Sequence, residues 1–239
     1  MSSHIVPLWM AWHGRLMVAA WVVLLPLGIL LARFFKITPR QSWPRQLDNR
    51  FWWRGHLGLQ YLGVTIMTGA ALLALFNGDA GQRASLLHRI GGWGVVTLAW
   101  VQIVGGWLRG SKGGPQPGPH AGFESAVAGD HYDMSLRRRV FERLHKTCGY
   151  ASLVLSLPTI FLGLQLADAP AWMGWTIACV WTTGLGLFAV LQWTGRCVDT
   201  YQAIWGPDPR HPGNRRVPIG WGVRRLDADA RANVESRNE

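Results

Sequence analysis

The sequence predicts an all-α integral membrane fold of about five transmembrane helices, with a four-helix core and one peripheral C-terminal helix. Two observations predict it. The apolar residues, 49% of 239 positions against 15% charged, gather into long unbroken blocks instead of scattering evenly. Of the 24 lysines and arginines, 21 gather at every second junction of those blocks. A soluble chain of this length could bury one large core, but it would not need five separate apolar blocks of roughly 20 residues or more, the length that crosses a bilayer.

The first block runs from Trp9 to Phe35. Its leading segment, MSSHIVPLW, lacks the basic start of a secretory signal, so the block is expected to be retained as a helix. The second runs from Phe51 to Phe76, the third from Ser85 to Leu108, the fourth from Val140 to Ala167 and the fifth from Ala171 to Trp193. Pro26 and Pro158 lie inside two of them, where neighbouring helices in a bundle can re-satisfy the freed carbonyls. Many of the 15 tryptophans, Trp12, Trp53, Trp107 and Trp193 among them, sit near block ends, at the depth amphipathic rings prefer. Between the third and fourth blocks the stretch GSKGGPQPGPHAG reads as an extramembrane loop. Residues 1–194 are thus expected to form the transmembrane domain and 195–239 a basic, irregular cytoplasmic tail, with TYQAIWGPDP capping the membrane surface.

Of the 24 lysines and arginines, six lie between Arg33 and Arg54, seven between Arg109 and Lys146, and eight from Arg196 onward. The alternate segments hold only Arg15, Arg83 and Arg89. Cytoplasmic loops are the ones enriched in basic residues, so the N-terminus is expected outside and the C-terminus in the cytoplasm. The compact, arginine-rich chain suggests a bacterial cytoplasmic membrane. The net charge of +11 follows these loops and is not interleaved with a stacking platform, which argues against nucleic acid as a partner. Cys148, Cys179 and Cys197 are too widely spaced for a CxxCH attachment or a zinc cluster, so any haem would be held non-covalently.

Eight histidines divide into two sets. His4, His120, His131 and His211 fall in tails or the long loop, whereas His13, His56, His88 and His145 each fall near the start of an apolar block. Successive helices run in opposite directions, so His13 and His88 share the outer layer and His56 and His145 the inner one. Two neutral imidazoles facing each other across a bundle fill both axial positions of a haem iron. The two layers are expected on the order of 20 Å apart, a relay for electrons across the membrane. A single histidine at a helix end is ordinarily an interfacial ring; four in matched layers, one per helix, favour two haem b groups. Gly14, Gly55, Gly58, Gly91, Gly92, Gly94 and Gly149 lie within a turn or two of these histidines, where a missing side chain lets a porphyrin or another helix approach. Arg15, Arg54, Arg89 and Lys146 flank them and could pair with haem propionates or with lipid headgroups.

At HGRLMVAAWVVLLPLGILLARFFK, FWWRGHLGLQ, LHRIGGWGVVTLAWVQIVGGWLR and RLHKTCGYASLVLSLPTIFLGL, over about residues 10 to 166, the chain resembles the cytochrome b561 superfamily membrane domain. The resemblance implies a four-helix core with two b haems, ligated by His13 with His88 and by His56 with His145. It also implies that Arg33 stands beside the cytosolic haem. Family members move electrons from a cytosolic donor such as ascorbate to an acceptor across the membrane, including ferric chelates or the oxidised ascorbate radical. A membrane homodimer is a further implication. Many members have six helices where five are expected here, and no soluble donor domain is expected in this chain, so the donor could be another protein or a quinol. Two rival readings stand beside this one: a quinone-linked cytochrome b subunit anchoring a dehydrogenase, and a haem-free, histidine-lined metal or proton transporter.

Overall fold

A computed structural model describes residues 6–77, 86–113 and 128–226. His4, His120, Arg83, most of the glycine and proline rich loop and the last part of the tail lie outside the described residues. Five described helices are long and apolar enough to cross a membrane: α1 Leu8–Phe34, α2 Phe51–Asn77, α3 Leu86–Trp107, α4 Leu136–Leu166 and α5 Ala171–Trp193. The described residues contain no β-strand, only an isolated bridge between Val198 and Arg224.

Both internal prolines are accommodated. In α1 the turn Ala19–Leu24 is π-helical, and the Leu25 N–H reaches back to the Ala20 carbonyl. Pro26 follows at once with no N–H to give, so the widened turn takes up the local mismatch. Pro158 lies within α4 without ending it. That helix begins at Leu136, four residues before the apolar block expected at Val140, because its first turns are held by ion pairs. Arg138 Nε and Lys146 Nζ each lie 3.0 Å from a carboxylate oxygen of Glu142, both at the i,i+4 spacing that stabilises a helix. Hydropathy alone cannot register such turns.

The chain folds as two compact units, each assembled from several segments. The first comprises residues 1–30, 55–104 and 147–190. Its apolar core joins Trp21, Val22 and Leu25 of α1, Val64 and Met67 of α2, Val95 and Ala99 of α3, Ile160 of α4 and Ile177 of α5. Helix directions follow from the contacts. His13 meets Ala70 and Gly28 meets His56, so α1 and α2 run antiparallel. His88 meets Thr159 while Gln102 lies near Gly149, so α3 and α4 do too. Ile177 is the only residue of α5 buried in this core, in keeping with a peripheral helix.

The second unit comprises residues 31–54, 105–146 and 191–239. Here the structure departs from the expected irregular tail. The described part of the segment after α5, residues 194–226, is folded: α6 Thr200–Trp205 is capped by Asp199, whose carboxylate accepts from Tyr201 N, and a 3-10 turn follows at Pro212–Arg215. Thr200, Tyr201, Gln202 and Ala203 of α6 are buried, with Tyr201 1% exposed and its hydroxyl donating to the Tyr132 carbonyl at 2.9 Å. Arg225 binds Asp199 through Nε and the carbonyls of Gly213 and Asn214 through its other nitrogens. Gln202 pairs with both backbone groups of Leu226. Satisfied polar groups of this kind let a proline and glycine rich, charged segment pack without an apolar pattern.

His131, read as a loop residue, is 2% exposed and accepts a hydrogen bond at Nδ1 from Trp205 Nε1 at 3.0 Å. Burial, with Arg138 nearby, pushes its pKa down from 6.5 to about 3. The folded state thus keeps His131 neutral where the unfolded chain takes up a proton, so stability is lost as pH falls from 6.5 toward about 3. Thermal unfolding in detergent should therefore show a lower midpoint at about pH 4.5 than at about pH 7, and His131→Phe should shrink that difference. An equal drop in both proteins would remove His131 as a cause.

Candidate functional site

Within the first unit the structure brings His13 of α1 and His88 of α3 together, with ring centres 6.4 Å apart. An imidazole nitrogen bonds a metal at about 2.0 Å and lies roughly 1.1 Å from its ring centre, so two imidazoles on opposite sides of one iron have centres about 6 Å apart. The rings are therefore spaced for one six-coordinate iron. Each is also anchored by its other nitrogen. His13 Nδ1 donates to the Ala70 carbonyl of α2 at 2.8 Å, and His88 Nδ1 donates to the Thr159 carbonyl of α4 at 3.0 Å. A hydrogen bond at Nδ1 fixes the tautomer and leaves the Nε2 lone pair as the donor to a metal, the usual arrangement of a ligating histidine. All four helices of the core thus contribute to this pair, two through side chains and two through backbone carbonyls. The residues fit a bis-histidine haem.

His56 lies toward the opposite end of the same unit. Its Nδ1 donates to the Gly28 carbonyl of α1 at 3.0 Å, and Gln60, one turn on, donates from Nε2 to the Leu25 carbonyl at 3.0 Å. His13 and Gly28 are separated by 15 residues of α1, a rise of roughly 20 Å. Gly28 lies at the close approach of this crossing: a Cβ there would displace the end of the Gln60 side chain and stand 3.3 Å from Leu59 Cβ. Helix packing in a bilayer leans on such small residues, because lipid offers no hydrophobic reward for closing the gap.

His145 of α4 lies in the second unit, half-buried, with its ring centre 5.0 Å from that of Phe141. Arg33, in the same unit, is buried; one guanidinium nitrogen, Nη2, donates to Gln192 Oε1 at 2.8 Å and to the Trp221 carbonyl at 2.7 Å. Lys146 donates to Glu142 and to the Ile219 carbonyl. Both cations grip backbone of the folded C-terminal segment, an engagement that a block-by-block reading of hydropathy and charge cannot reveal. Arg15 stacks at 5.5 Å over Trp12.

The flanking glycines divide. Gly91 and Gly94 of α3 face Thr159 and Leu155 of α4, whereas a methyl group placed on Gly14, Gly58 or Gly92 would meet no neighbour within 4 Å. Sequence reasoning missed the anchoring carbonyls of Gly28, Ala70 and Thr159, since a backbone oxygen leaves no mark in residue identity. Among the described residues, no group of three or more His, Cys, Asp or Glu is placed to hold a bare metal ion.

Comparison with known proteins finds relatives of consistent character. A protein of Arabidopsis thaliana named for cytochrome b561, DM13 and DOMON domains is 29% identical over 153 residues, 64% of this chain and 14% of its own length. A second Arabidopsis thaliana protein, named for cytochrome b561 and DOMON domains, is 26% identical over 157 residues, 65% of this chain and 31% of its own. Ferric-chelate reductase 1 of Homo sapiens is 29% identical over 155 residues, 64% of this chain and 22% of its own. The chain thus matches less than a third of the length of each of these relatives. No family model and no solved structure matches it. With its five apolar helices, the chain is an integral multi-pass membrane protein.

The α1–α2 crossing yields a direct check. Gly28→Val should force the helices apart at the His56 anchor and cost about 1–3 kcal/mol, lowering the unfolding midpoint in detergent, while Gly14→Ala should leave it unchanged. Equal midpoints for the two variants would remove the close approach as a constraint.

Proposed function

We propose that this chain, a homologue of cytochrome b561 and ferric-chelate reductase proteins, is a transmembrane electron carrier that holds two haem b groups without covalent attachment. The observation that carries the reading is the His13–His88 pair, spaced at 6.4 Å with each Nδ1 tied to a carbonyl of a different helix. A haem b between two imidazoles passes single electrons by cycling between ferric and ferrous iron without exchanging ligands. His13 and His88 would bind one iron through Nε2. His56, with Nδ1 anchored on Gly28, and His145, near the start of α4, would bind the second. Arg33 would place a cation for a propionate at the cytoplasmic haem.

Each chain residue has a stated task in this reading. The Nδ1 hydrogen bonds hold the imidazoles oriented, which raises their donor strength and limits reorganisation when an electron arrives. The apolar core between the two ends, with Trp21 and Met67 fully enclosed, excludes water from the interior of the unit. The segregated lysines and arginines orient the chain with its N-terminus outside, so His13 and His88 belong to the outer layer. An electron would enter from a cytoplasmic donor such as ascorbate and leave to an outer acceptor. The naming of a relative as a ferric-chelate reductase makes a ferric chelate the first acceptor to try.

The deciding experiment is a reduced-minus-oxidised absorption spectrum with haem quantitation on purified wild type, His88→Ala and His145→Ala. Two low-spin b haems per wild-type chain are expected, each variant losing a different one. A colourless wild type would sink the reading, and a single haem lost in both variants would reduce it to one centre.

A further inference from the structure

We infer that Gly163 is a positioning residue, leaving the space in which the His88 imidazole lies crosswise to that of His13 and so setting a crossed-ligand state at the outer haem. The inference rests on the haem reading above and adds what fixes the geometry of one ligand.

The two imidazole planes stand at 77° to each other. The orientation of His88 is over-determined from α4. Its Nδ1 is held by the Thr159 carbonyl at 3.0 Å. Gly163 lies one helical turn further along the same face of α4, under the edge of the ring. A Cβ at Gly163 would stand 2.9 Å from His88 Cε1, closer than real methyl contacts come, and 3.4 Å from Nδ1. Gly163 sits inside a regular helix, with its carbonyl accepting from Ala167 N at 3.0 Å, so no special dihedral calls for glycine there. What the position needs is room for the ring. The ring cannot retreat toward α4, and its hydrogen bond prevents it from turning away. Neighbouring contacts keep α4 at this distance: Gly91 of α3 lies against Thr159, whose Oγ1 is turned back to the Leu155 carbonyl of its own helix at 2.8 Å.

Ligand planes have an electronic consequence in ferric low-spin iron. Parallel imidazole planes split the two iron orbitals that overlap the ring π-systems, whereas crossed planes leave them nearly equal in energy. The crossed arrangement gives a strongly anisotropic paramagnetic resonance signal and the parallel one a compact rhombic signal, so the geometry can be read without any turnover assay. Orientation of a ligating ring by groups behind it is a general means of tuning a metal centre.

The test is electron paramagnetic resonance of the oxidised, haem-loaded full chain as wild type, His88→Ala, Gly163→Ala and Gly94→Ala. The wild-type signal that disappears in His88→Ala should be of the strongly anisotropic, crossed-plane kind. Gly163→Ala should convert that same signal to a less anisotropic or high-spin form and leave the second haem's signal in place. Gly94→Ala, which crowds Leu155 at 3.1 Å on the same pair of helices without touching a histidine, should leave both signals where they are. A compact rhombic signal from the outer haem of wild type would overturn the inference, and this arm decides it even if Gly163→Ala does not accumulate. An unchanged signal in Gly163→Ala, or the same change in Gly94→Ala, would also overturn it. A wild type with no haem fails differently: it brings down the proposed function itself.

Discussion

Much of the membrane-embedded architecture turns on one kind of bond, an imidazole Nδ1 donating to a backbone carbonyl on another helix. Three such bonds tie His13 to Ala70, His56 to Gly28 and His88 to Thr159. In lipid no hydrophobic gain draws apolar helices together, so close packing and interhelical hydrogen bonds must supply the specificity. A histidine bound in this way does two jobs at once. It fastens α1 to α2 or α3 to α4 in a fixed antiparallel register, and it presents its second nitrogen at a defined depth. The same bonds that assemble the bundle therefore preset the ligands, and glycines clear the ground around them at Gly28, Gly91 and Gly163.

The second unit is built on a contrasting logic. Its interior holds Arg33, Lys36, His131, Glu142, Asp199 and Gln202, side chains that are costly to bury unless paired. Their partners lie close at hand: Glu142 meets Arg138 and Lys146, Asp199 meets Arg225, and Lys36 donates to the carbonyls of Arg33 and Val198. Burial, with Lys146 adding repulsion, lowers the Lys36 pKa to about 8. The C-terminal segment is thereby fastened through directed polar bonds where the first unit uses apolar surface and helix crossings.

How much of this could be read in the sequence depends on whether the information lies in residue type or in pairing. Hydropathy located the five helices to within a few residues, because crossing a bilayer demands an apolar length and nothing else supplies it. The four helical histidines stood out because an ionisable ring near membrane depth is rare. The early start of α4 was hidden in the charges Arg138, Glu142 and Lys146, which count against a membrane span yet support a helix. The folding of residues 195–226 was hidden more deeply, since Gln202 with Leu226, Arg225 with Gly213 and Trp205 with His131 are matches of geometry between residues that look like ordinary loop composition. Gly163 passed unnoticed among many membrane glycines, its importance lying in a ring from another helix.

The π-helical turn at Ala19–Leu24 fixes the length of α1 in a way that no side chain does. A π-turn holds one residue more than an α-turn, so it behaves as an insertion stored between the His13 end and the Gly28 end of a single rod. Excising any one residue of Ala19–Leu24 would let the turn relax to α-helix, whereas excising one elsewhere in α1 would swing one end about the axis by roughly 100° relative to the other. The two halves of α1 are consequently geared to each other: the face that carries His13 and the face that meets His56 keep their phase through a reserve of backbone in the middle, a tolerance for lost length confined to those six positions.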